Sequence, residues 1–517
     1  MPLRAMIRRT LPFLLMLAPA LAWGQEAPTL YAGHCAACHG PDRLGGIGPA
    51  LIPETVGHLK PAQLAATIAH GRMQTEMPAF AGRLTAGEIT ALAAYVASPL
   101  AVEPHWSEAD IRASRTVFEP HPAAHPVFKA DLMNLFTVVE AGDHHAIILD
   151  GDSFTPLARF KTRPSLHGGA KYSPDAHYVY LASRDGWVQK YDLWGLTMAA
   201  EVRAGINTRN IAVSDDGKWI AVGNTLPRTL VILDAATMLP VKVIPVADRA
   251  GHASRVSAVY EAPPRHSFIV ALKDVKELWE IPTRPGAEVC QGAVRTYDAG
   301  MESPACRKGP FPVRRIATED VLDDFFFDPG YHNVMAAARD GRPGEVVNLD
   351  VGHTIATLDL SGMPHLGSGI VFRRHGRWLM ATPHLKEGKV SVIDMTSWKT
   401  VAVINTLGPG FFLRGHEKSR YAWVDNAASP AHDKVQVIDL DSLKIVKTLQ
   451  PAPGKTVGHV EFTHDGRYAL LSDMEMQGAL IVYDAKTLRE VKRIPMVKPI
   501  GKYNVGNKLE YSTGTSH

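Results

Sequence analysis

Beyond position 130 the chain alternates apolar and polar residues, a pattern that predicts short β-strands. In 389–394 (KVSVID) and 434–439 (KVQVID), valine and isoleucine alternate with polar residues, as in strands with one buried face. Turn sequences such as D-D-G at 215–217 and H-D-G at 464–466 separate these stretches. Region 131–517 is therefore predicted to be all-β.

The strand pattern is also repetitive. A unit of two strands ending in an apolar residue followed by an acid occurs eight times, and most of the terminal acids lie 42 to 46 residues apart. The units span 133–150, 177–192, 218–234, 267–280, 333–350, 377–394, 420–439 and 467–484. That interval is typical of a four-stranded propeller blade, and a closed ring of blades leaves few exposed edges. The sequence thus predicts an eight-bladed β-propeller.

The region before position 99 has helical periodicity instead. Ile89, Leu92 and Val96 recur at helical spacing behind Thr85 and Glu88, whose T-x-x-E spacing predicts a capping box. A second helix-like stretch covers 61–70. Between 99 and 130 the composition changes to proline, histidine and charged residues, which indicates a linker. We therefore expect a small all-α domain at 25–98 and a linker at 99–130.

The first 24 residues have the features of a secretory signal peptide. Arg4, Arg8 and Arg9 precede an apolar run at 11–22, and a small residue, Gly24, marks the expected cleavage site. The run is short for a bilayer span and no later stretch reaches the required length. The mature chain is predicted to be exported, in a bacterium to the periplasm, without a membrane span.

The net charge of the mature chain argues against nucleic acid as a partner. After removal of the signal peptide, 52 basic and 52 acidic side chains remain. A chain with no net charge has no general positive field with which to hold nucleic acid.

The sequence C-A-A-C-H at 35–39 is the C-x-x-C-H pattern of covalent c-type haem attachment. Cys35 and Cys38 would add to the two vinyl groups of one haem, and His39 would be an axial ligand of the iron. A second Cys/His pair at ligand spacing is absent from the sequence, which argues against a zinc site. One covalent haem c per chain is predicted.

A sixth iron ligand is expected downstream, and a thioether in that position raises the reduction potential. Met77 is the predicted ligand and Met73 its competitor. The order of elements over residues 27–98, including G-P-A-L at 48–51, resembles a class I cytochrome c domain, and this resemblance favours Met77.

The other two cysteines, Cys290 and Cys306, lie in the long interval between two repeats. In an oxidising compartment they would form a disulfide. A buried pair of free thiols fits the sequence equally well.

The propeller resembles the heme d1 domain of cytochrome cd1, and with the cytochrome c domain this resemblance covers nearly the whole mature chain. His167, after R-P-S-L at 163–166, matches the histidine that ligates heme d1 iron in that family, and G-K-Y-N-V at 501–505 resembles the family's closing motif. The resemblance implies that heme d1, or dihydro-heme d1, binds non-covalently in the central channel. Heme d1 carries several carboxylates, for which cationic partners are needed. The candidates, each of which is otherwise an ordinary surface cation, are Arg184, Arg209, Arg255 and Lys273.

The chain departs from the nitrite reductases of this family at one of two distal histidines. One histidine aligns with His365, whereas the other falls at Asp323. A carboxylate repels nitrite and is not a proton donor near neutral pH without a large pKa shift. A slippage of the alignment by a few residues would place His332 in this position instead.

This departure favours the branch of the family that oxidises dihydro-heme d1. The resemblance implies an oxidoreductase of denitrification that converts a propionate of dihydro-heme d1 to the acrylate of heme d1, the last step of heme d1 biosynthesis. Its partners would be cytochrome cd1 nitrite reductase, other heme d1 assembly proteins and an external electron acceptor. A nitrite reductase and a non-catalytic heme d1 carrier are the alternatives.

Abstraction of a proton from carbon needs a base, and neutral histidine has a suitable pKa. The chain contains 23 histidines. The candidate bases, all in loops or strand entries of late repeats, are His365, His416 and His459, with His384 and His332 as weaker choices.

Overall fold

The computed structural model describes residues 23–57, 59–72, 77–102, 104–119, 121–295, 302–338 and 341–511. Nearly all of the predicted signal peptide, and Met73, lie outside these residues. Within the described part, no helix is both long enough and apolar enough to cross a membrane.

The N-terminal part is a small helical domain, as predicted. Helix Ala86–Ala97 begins at the predicted capping box, in which Thr85 Oγ accepts from the Glu88 amide (3.3 Å) and the Glu88 carboxylate accepts from the Thr85 amide (2.7 Å). Its apolar face, including Leu92, packs with Tyr31 and Leu64 in one core. The helices are Trp23–His34, Ala36–His39, Pro53–Val56, Pro61–His70, Ala86–Ala97 and, after this domain, Glu108–Ser114.

Most of the remaining described chain forms eight antiparallel sheets, seven with four strands and one with five, which confirms the predicted eight-bladed propeller. We number the blades in chain order and give each from its innermost to its outermost strand. Blade 1 consists of Pro499–Asn504, Leu135–Glu140, His145–Asp150 and Thr155–Lys161, and blade 2 of Lys171–Tyr172, Tyr178–Ala182, Trp187–Asp192 and Thr197–Arg203. Blade 3 consists of Asn207–Val213, Trp219–Leu226, Thr229–Asp234 and Pro240–Pro245, and blade 4 of Val256–Ala262, Ser267–Leu272, Glu277–Pro282 and Arg314–Ala317. Blade 5 consists of Asp324–Phe327, Asn333–Ala337, Gly344–Asn348 and His353–Leu358, and blade 6 of Ile370–Arg374, Arg377–Pro383, Lys389–Asp394 and Thr400–Asn405. Blade 7 consists of Leu413–Arg414, Tyr421–Asp425, Val435–Asp439 and Lys444–Leu449, and blade 8 of Val457–Phe462, Tyr468–Asp473, Gly478–Asp484 and Arg489–Met496.

The ring is closed by strands from both ends of the propeller sequence. Strand Pro499–Asn504 pairs with Leu135–Glu140, with Tyr503 opposite Thr137. The innermost strand of blade 1 therefore comes from the C-terminus. As a result, residues near position 502 lie next to the innermost strand of blade 8.

In blades 2 to 8 the innermost strand comes first along the chain, and in every blade it runs antiparallel to the second strand. All innermost strands therefore run in the same direction along the channel. We call the end at which they begin the front and the other end the rear. The C-terminal segment, including the single π-helical turn Asn507–Tyr511, lies across the rear. There Asn507 Nδ2 donates to Glu461 Oε1 (2.9 Å) and to the Phe462 carbonyl (2.8 Å).

An inserted hairpin interrupts the regular pattern of the blades. The long interval in blade 4 contains a hairpin of strands Glu288–Arg295 and Glu302–Lys308. Cys290 and Cys306 face each other in this hairpin and form a disulfide, which resolves the alternative left open by the sequence.

Residues between the two domains pack against the propeller. Strand Thr116–Val117 adds a fifth strand to blade 2, and Trp106 Nε1 donates to the Arg203 carbonyl (3.0 Å). This part of the predicted linker thus contains regular structure, which its proline-rich composition did not indicate.

Candidate functional site

The C-x-x-C-H residues are arranged to hold a haem. His39 Nδ1 donates to the Pro49 carbonyl (2.7 Å), and this hydrogen bond fixes the tautomer in which Nε2 carries the lone pair for a metal. Burial lowers the pKa of His39, which favours the neutral, metal-binding form. A Cβ at Gly48 would lie 2.5 Å from His39 Cε1, so only glycine fits against the ring. With the thiols of Cys35 and Cys38 both free, these residues fit haem c.

Met77 lies at the edge of the same domain. Its side chain is half-buried against the helical core, and its carbonyl accepts from the Arg72 amide (3.1 Å). Its role as the sixth ligand stays a prediction.

The cytochrome c domain contacts the front of the propeller through the loop that follows His39. Ser165 Oγ donates to the Ile47 carbonyl, and Arg255 donates to the Glu54 carbonyl. An apolar cluster from both domains accompanies these bonds and contains Ala50, Ile52, Ile206 and Leu226. Ile47 lies two residues before the hydrogen-bond partner of His39, and Ser165 lies two residues before His167. This hydrogen bond therefore joins two loop segments that lie close in sequence to the two predicted iron ligands.

His167 is held in the orientation that an iron ligand requires. Its Nδ1 donates to the Arg209 carbonyl (2.7 Å), so that Nε2 carries the lone pair. The Arg184 guanidinium donates to Nε2 (2.8 Å), and Arg209 Nη1 lies 3.3 Å from the same atom. Iron at Nε2 would displace Arg184, and the displaced guanidinium would be available to a carboxylate of the tetrapyrrole.

The other two predicted cations pair with acids. Arg255 Nε donates to Asp274 Oδ2 (2.9 Å), and Lys273 Nζ donates to Asp323 Oδ1 (2.6 Å). The structure thus brings Arg184 and Arg209 to His167, whereas Arg255 and Lys273 are already neutralised by neighbours.

Asp323 immediately precedes the innermost strand of blade 5, so it lies at the front and is buried. His332 lies between the first two strands of the same blade, at the rear, where its exposed ring pairs with Asp350 (2.6 Å). A slippage of the alignment therefore does not place His332 at the front. At the front, Asp323 forms an ion pair with Lys273.

Two of the candidate bases lie at the front. His365 is buried, and its Nδ1 donates to the Phe411 carbonyl (2.6 Å), so that Nε2 carries the lone pair. His384 is fully buried, and its ring contacts the Ser361 carbonyl (2.5 Å) and Ser391 Oγ (2.9 Å). Burial lowers the pKa of His384 to about 4. With both nitrogens engaged, His384 has a structural role.

His459 lies inside the channel, on the innermost strand of blade 8. A register shift between Gly458 and Glu461 and a left-handed backbone at His459 (φ 52°) turn its side chain out of the regular pattern. The ring lies between Phe412 and Tyr503, at centroid distances of 4.7 and 5.2 Å. Its Nε2 is buried and has no hydrogen-bond partner among the described residues.

The surroundings of His459 favour its neutral form. Burial lowers the pKa of His459 well below its ordinary value, and the positive charges of Lys502, Arg414 and Lys508 lower it further. A neutral imidazole with an uncommitted Nε2 is a base that can accept a proton.

His416 lies elsewhere. It follows the two-residue innermost strand of blade 7 and is therefore at the rear, where its Nε2 donates to Asn507 Oδ1 (3.2 Å) and its Nδ1 accepts from the Lys418 amide (3.1 Å). The structure does not bring His416 together with His365 and His459.

Sequence reasoning missed three residues around His459. Lys502 and Tyr503 lie in the closing strand, and Asp425 accepts hydrogen bonds from the amides of Phe411 (2.9 Å) and Phe412 (2.8 Å). Burial raises the pKa of Asp425 to about 6. The available signal was a lysine among uncharged residues in this inner strand, P-I-G-K-Y-N at 499–504.

Comparisons with known proteins show to which family the chain is related. Residues 130–300 and 305–508 match the family described as Cytochrome D1 heme domain, and residues 24–96 match Cytochrome C oxidase, cbb3-type, subunit III. The chain is 54% identical to dihydro-heme d1 dehydrogenase of Pseudomonas aeruginosa over 97% of this chain and 98% of that protein. Protein NirF of the same organism is 29% identical over 71% of this chain and 90% of its own length.

A solved structure is also similar along nearly the whole chain. Dihydro-heme d1 dehydrogenase NirN in complex with DHE has a TM-score of 0.79 and 54% sequence identity, covering 93% of this chain and 99% of its own. This chain also has a two-domain architecture, the C-x-x-C-H residues and a histidine, His167, whose ring lies between two arginines. The chain therefore belongs to the Cytochrome D1 heme domain family and, within it, to the dihydro-heme d1 dehydrogenases, which are oxidoreductases of heme d1 biosynthesis.

Proposed function

We propose that this dehydrogenase oxidises dihydro-heme d1 to heme d1 in the periplasm, as the last step of heme d1 biosynthesis. One propionate side chain of the substrate loses two protons and two electrons, and its saturated carbon–carbon bond becomes the double bond of an acrylate. The observation that carries this proposal is the buried Nε2 of His459, which has no hydrogen-bond partner among the described residues and lies in the channel whose front holds His167.

Binding of the substrate is assigned to the front of the channel. His167 Nε2 would ligate the iron of dihydro-heme d1, and Arg184 and Arg209 would pair with its carboxylates. The sequence alignment assigns Asp323, which pairs with Lys273 at 2.6 Å, to the position of the second distal histidine of the nitrite reductases. An acid at this position supports a substrate other than the nitrite anion.

Proton abstraction is assigned to His459. Its neutral ring would take a proton from a propionate carbon at Nε2, and the contacts with Phe412 and Tyr503 restrict the orientation of the ring. His365, whose Nε2 also carries a lone pair, is the second proton acceptor that we propose at the front.

Electron removal is assigned to the cytochrome c domain, in which Cys35, Cys38, His39 and Met77 would hold haem c. When bound, haem c supplies a one-electron outlet. Ser165 and the apolar cluster with Ile52 and Leu226 hold this domain against the front of the propeller. We propose that an external acceptor takes the electrons onward, and that cytochrome cd1 nitrite reductase and other heme d1 assembly proteins are the partners that receive the product.

The proposal predicts a coupled spectral change. The purified protein carrying oxidised haem c, mixed with dihydro-heme d1 without oxygen, is expected to form heme d1 while its haem c becomes reduced. Since two electrons leave each substrate, product formation without an acceptor should stop at about one heme d1 per two haem c. Absorption spectra and mass spectrometry of the extracted tetrapyrrole measure both quantities.

Two outcomes of that experiment would contradict the proposal. Tight binding without any conversion of the ligand would indicate a carrier. Rapid formation of nitric oxide from nitrite by protein loaded with heme d1 would indicate a nitrite reductase.

Ser165→Ala is expected to slow the reduction of haem c by dihydro-heme d1 about fivefold, because loss of one hydrogen bond of ~1 kcal/mol weakens the docking of the two domains by that factor. Stopped-flow absorption measures the rate. Ser173→Ala, in a turn at the rear of blade 2 where Ser173 Oγ donates to Asp175 (2.5 Å), is the matched control. An unchanged rate in Ser165→Ala would show that this bond does not hold the domains together.

A further inference from the structure

A fully buried lysine lies behind His459. Lys502 is in the innermost strand of blade 1, opposite Val138, and its side chain is 0% exposed. Its Nζ donates to the His459 carbonyl and lies 3.5 Å from His459 Nδ1. The lysine is therefore anchored to the same residue whose ring it faces.

Charged groups from every neighbouring element surround this pair, but each is held by other partners. From blade 7, Arg414 pairs with Glu461 of blade 8 (2.9 Å), which also accepts from Asn507 of the C-terminal segment. Asp425 of blade 7 accepts from backbone amides. Lys508 of the C-terminal segment lies over the ring of Tyr503 (5.6 Å). Among the described residues, Lys502 makes no hydrogen bond to a carboxylate.

A buried ammonium without a carboxylate partner is costly, and a buried lysine responds by losing its proton. Burial lowers the pKa of Lys502 to about 7, although Glu461 and Asp425 oppose this shift. The neutral amine is therefore accessible near neutral pH. A neutral amine accepts a hydrogen bond, which an ammonium cannot do.

We propose that Lys502 is a positioning residue for His459, whose neutral Nζ accepts the Nδ1 proton of the ring. Before the reaction, this contact selects the tautomer with the lone pair on Nε2. After Nε2 has taken the substrate proton, the N–H bond at Nδ1 breaks and an N–H bond forms at Nζ. The positive charge moves from the imidazolium to the ammonium, and no electrons are transferred. This inference rests on the proposed role of His459 as the base.

Lys502→Met and Lys502→Arg test the inference in the full-length protein carrying haem c. Methionine has nearly the same length and no charge, whereas arginine keeps a permanent charge and does not accept a proton. Both variants are expected to lower kcat for dihydro-heme d1 oxidation by about tenfold or more and to leave KM unchanged. A loss of activity of this size is usual when a residue that supports a functional side chain by a hydrogen bond is removed. In Lys502→Met the acid limb of the pH–rate profile should also move to lower pH. In wild type the limb follows the deprotonation of Lys502 near pH 7, whereas in the variant only His459, whose pKa burial holds well below its ordinary value, has to be neutral.

Lys190→Met is the matched control. Lys190 is also buried, at 7% exposure, and its Nζ donates to the Ala235 carbonyl (2.8 Å) between blades 2 and 3, outside the channel. The control is expected to have wild-type kcat. Wild-type kcat in Lys502→Arg would overturn proton acceptance by Lys502.

Thermal unfolding without substrate gives a second measurement. The pKa of Lys502 is about 7 in the folded state and near 10.5, its ordinary value, in the unfolded state. Between these values the unfolded state binds more protons, so wild-type stability rises with pH relative to Lys502→Met. The Tm of Lys502→Met minus that of wild type should therefore be larger at pH 6.5 than at pH 9.5. A difference independent of pH would show that Lys502 does not titrate, which contradicts the inference.

His459→Gln separates this inference from the proposed function. If His459→Gln keeps full activity, the proposed function fails and the role of Lys502 fails with it. If His459→Gln is inactive while Lys502→Met has wild-type kcat and pH profile, only the inference about Lys502 is wrong.

Discussion

Substitution of His459 by glutamine is expected to lower kcat for dihydro-heme d1 oxidation by about 10²- to 10⁴-fold, the usual contribution of a general base. Glutamine is similar in size and polarity but does not accept a proton near neutral pH. Because His167 and Arg184 are unchanged, the Kd for dihydro-heme d1 should stay within a few-fold of wild type. Single-turnover absorption under anaerobic conditions measures the rate, and titration with the substrate measures the Kd.

The control for this substitution is His353→Gln, on the outermost strand of blade 5, where the side chain is exposed. It should have wild-type kcat. If His459→Gln oxidises the substrate at the wild-type rate, His459 is not the base, and His365 would be the next residue to test. A joint loss of binding and turnover would show that His459 acts in substrate binding.

The eight blades and the haem c residues were predictable because each has a local signature. The 42 to 46 residue interval of the terminal acids reflects the length of one blade, and C-x-x-C-H places both thiols and the axial histidine on one helical turn. Neither pattern depends on contacts distant in sequence. The motif at 501–505 was recognised by its family-like sequence, but the strand 499–504 that contains most of it and its pairing with Leu135–Glu140 follow only from the closed ring.

Selecting the base from 23 histidines needed the tertiary structure. His416 and His459 both lie near innermost strands, yet one is at the rear and the other inside the channel. The difference arises because the innermost strand of blade 7 has only two residues, Leu413–Arg414, so His416 already lies beyond it. The bulge that turns His459 inward and the burial of Lys502 depend on neighbouring blades, and sequence periodicity does not describe such contacts.

Asp323 illustrates the same limit. Across the insertion in blade 4 the sequence left Asp323 and His332 as alternatives, because an insertion makes the alignment of the residues that follow it ambiguous. The structure separates them by the full length of the strand Asp324–Phe327. The pairing of Asp323 with Lys273 was not predictable, because the two lie 50 residues apart on adjacent blades.

Removal of the His167 side chain should give the second large effect. His167→Gly is expected to weaken the binding of dihydro-heme d1 by more than about tenfold. Removal of a residue that only hydrogen-bonds to a metal ligand already lowers metal affinity by about 10- to 100-fold, and here the ligand itself is removed. The absorption bands of a nitrogen-ligated tetrapyrrole iron should also disappear. The spectrum of haem c should stay unchanged, because Cys35, Cys38 and His39 belong to the other domain.

Imidazole and Arg184→Gln distinguish ligation from charge pairing. Added imidazole should restore the ligand bands of His167→Gly, because the removed side chain leaves space for it. Arg184→Gln removes a guanidinium that donates to His167 Nε2 at 2.8 Å but keeps the ligand itself. This variant should therefore keep the nitrogen-ligated spectrum while its Kd rises about tenfold or more, the equivalent of one charge-assisted hydrogen bond of ~1.5–3 kcal/mol. If His167→Gly kept the wild-type spectrum without imidazole, another residue would be the iron ligand. The hypothesis that iron displaces the Arg184 guanidinium from His167 Nε2 would then be wrong.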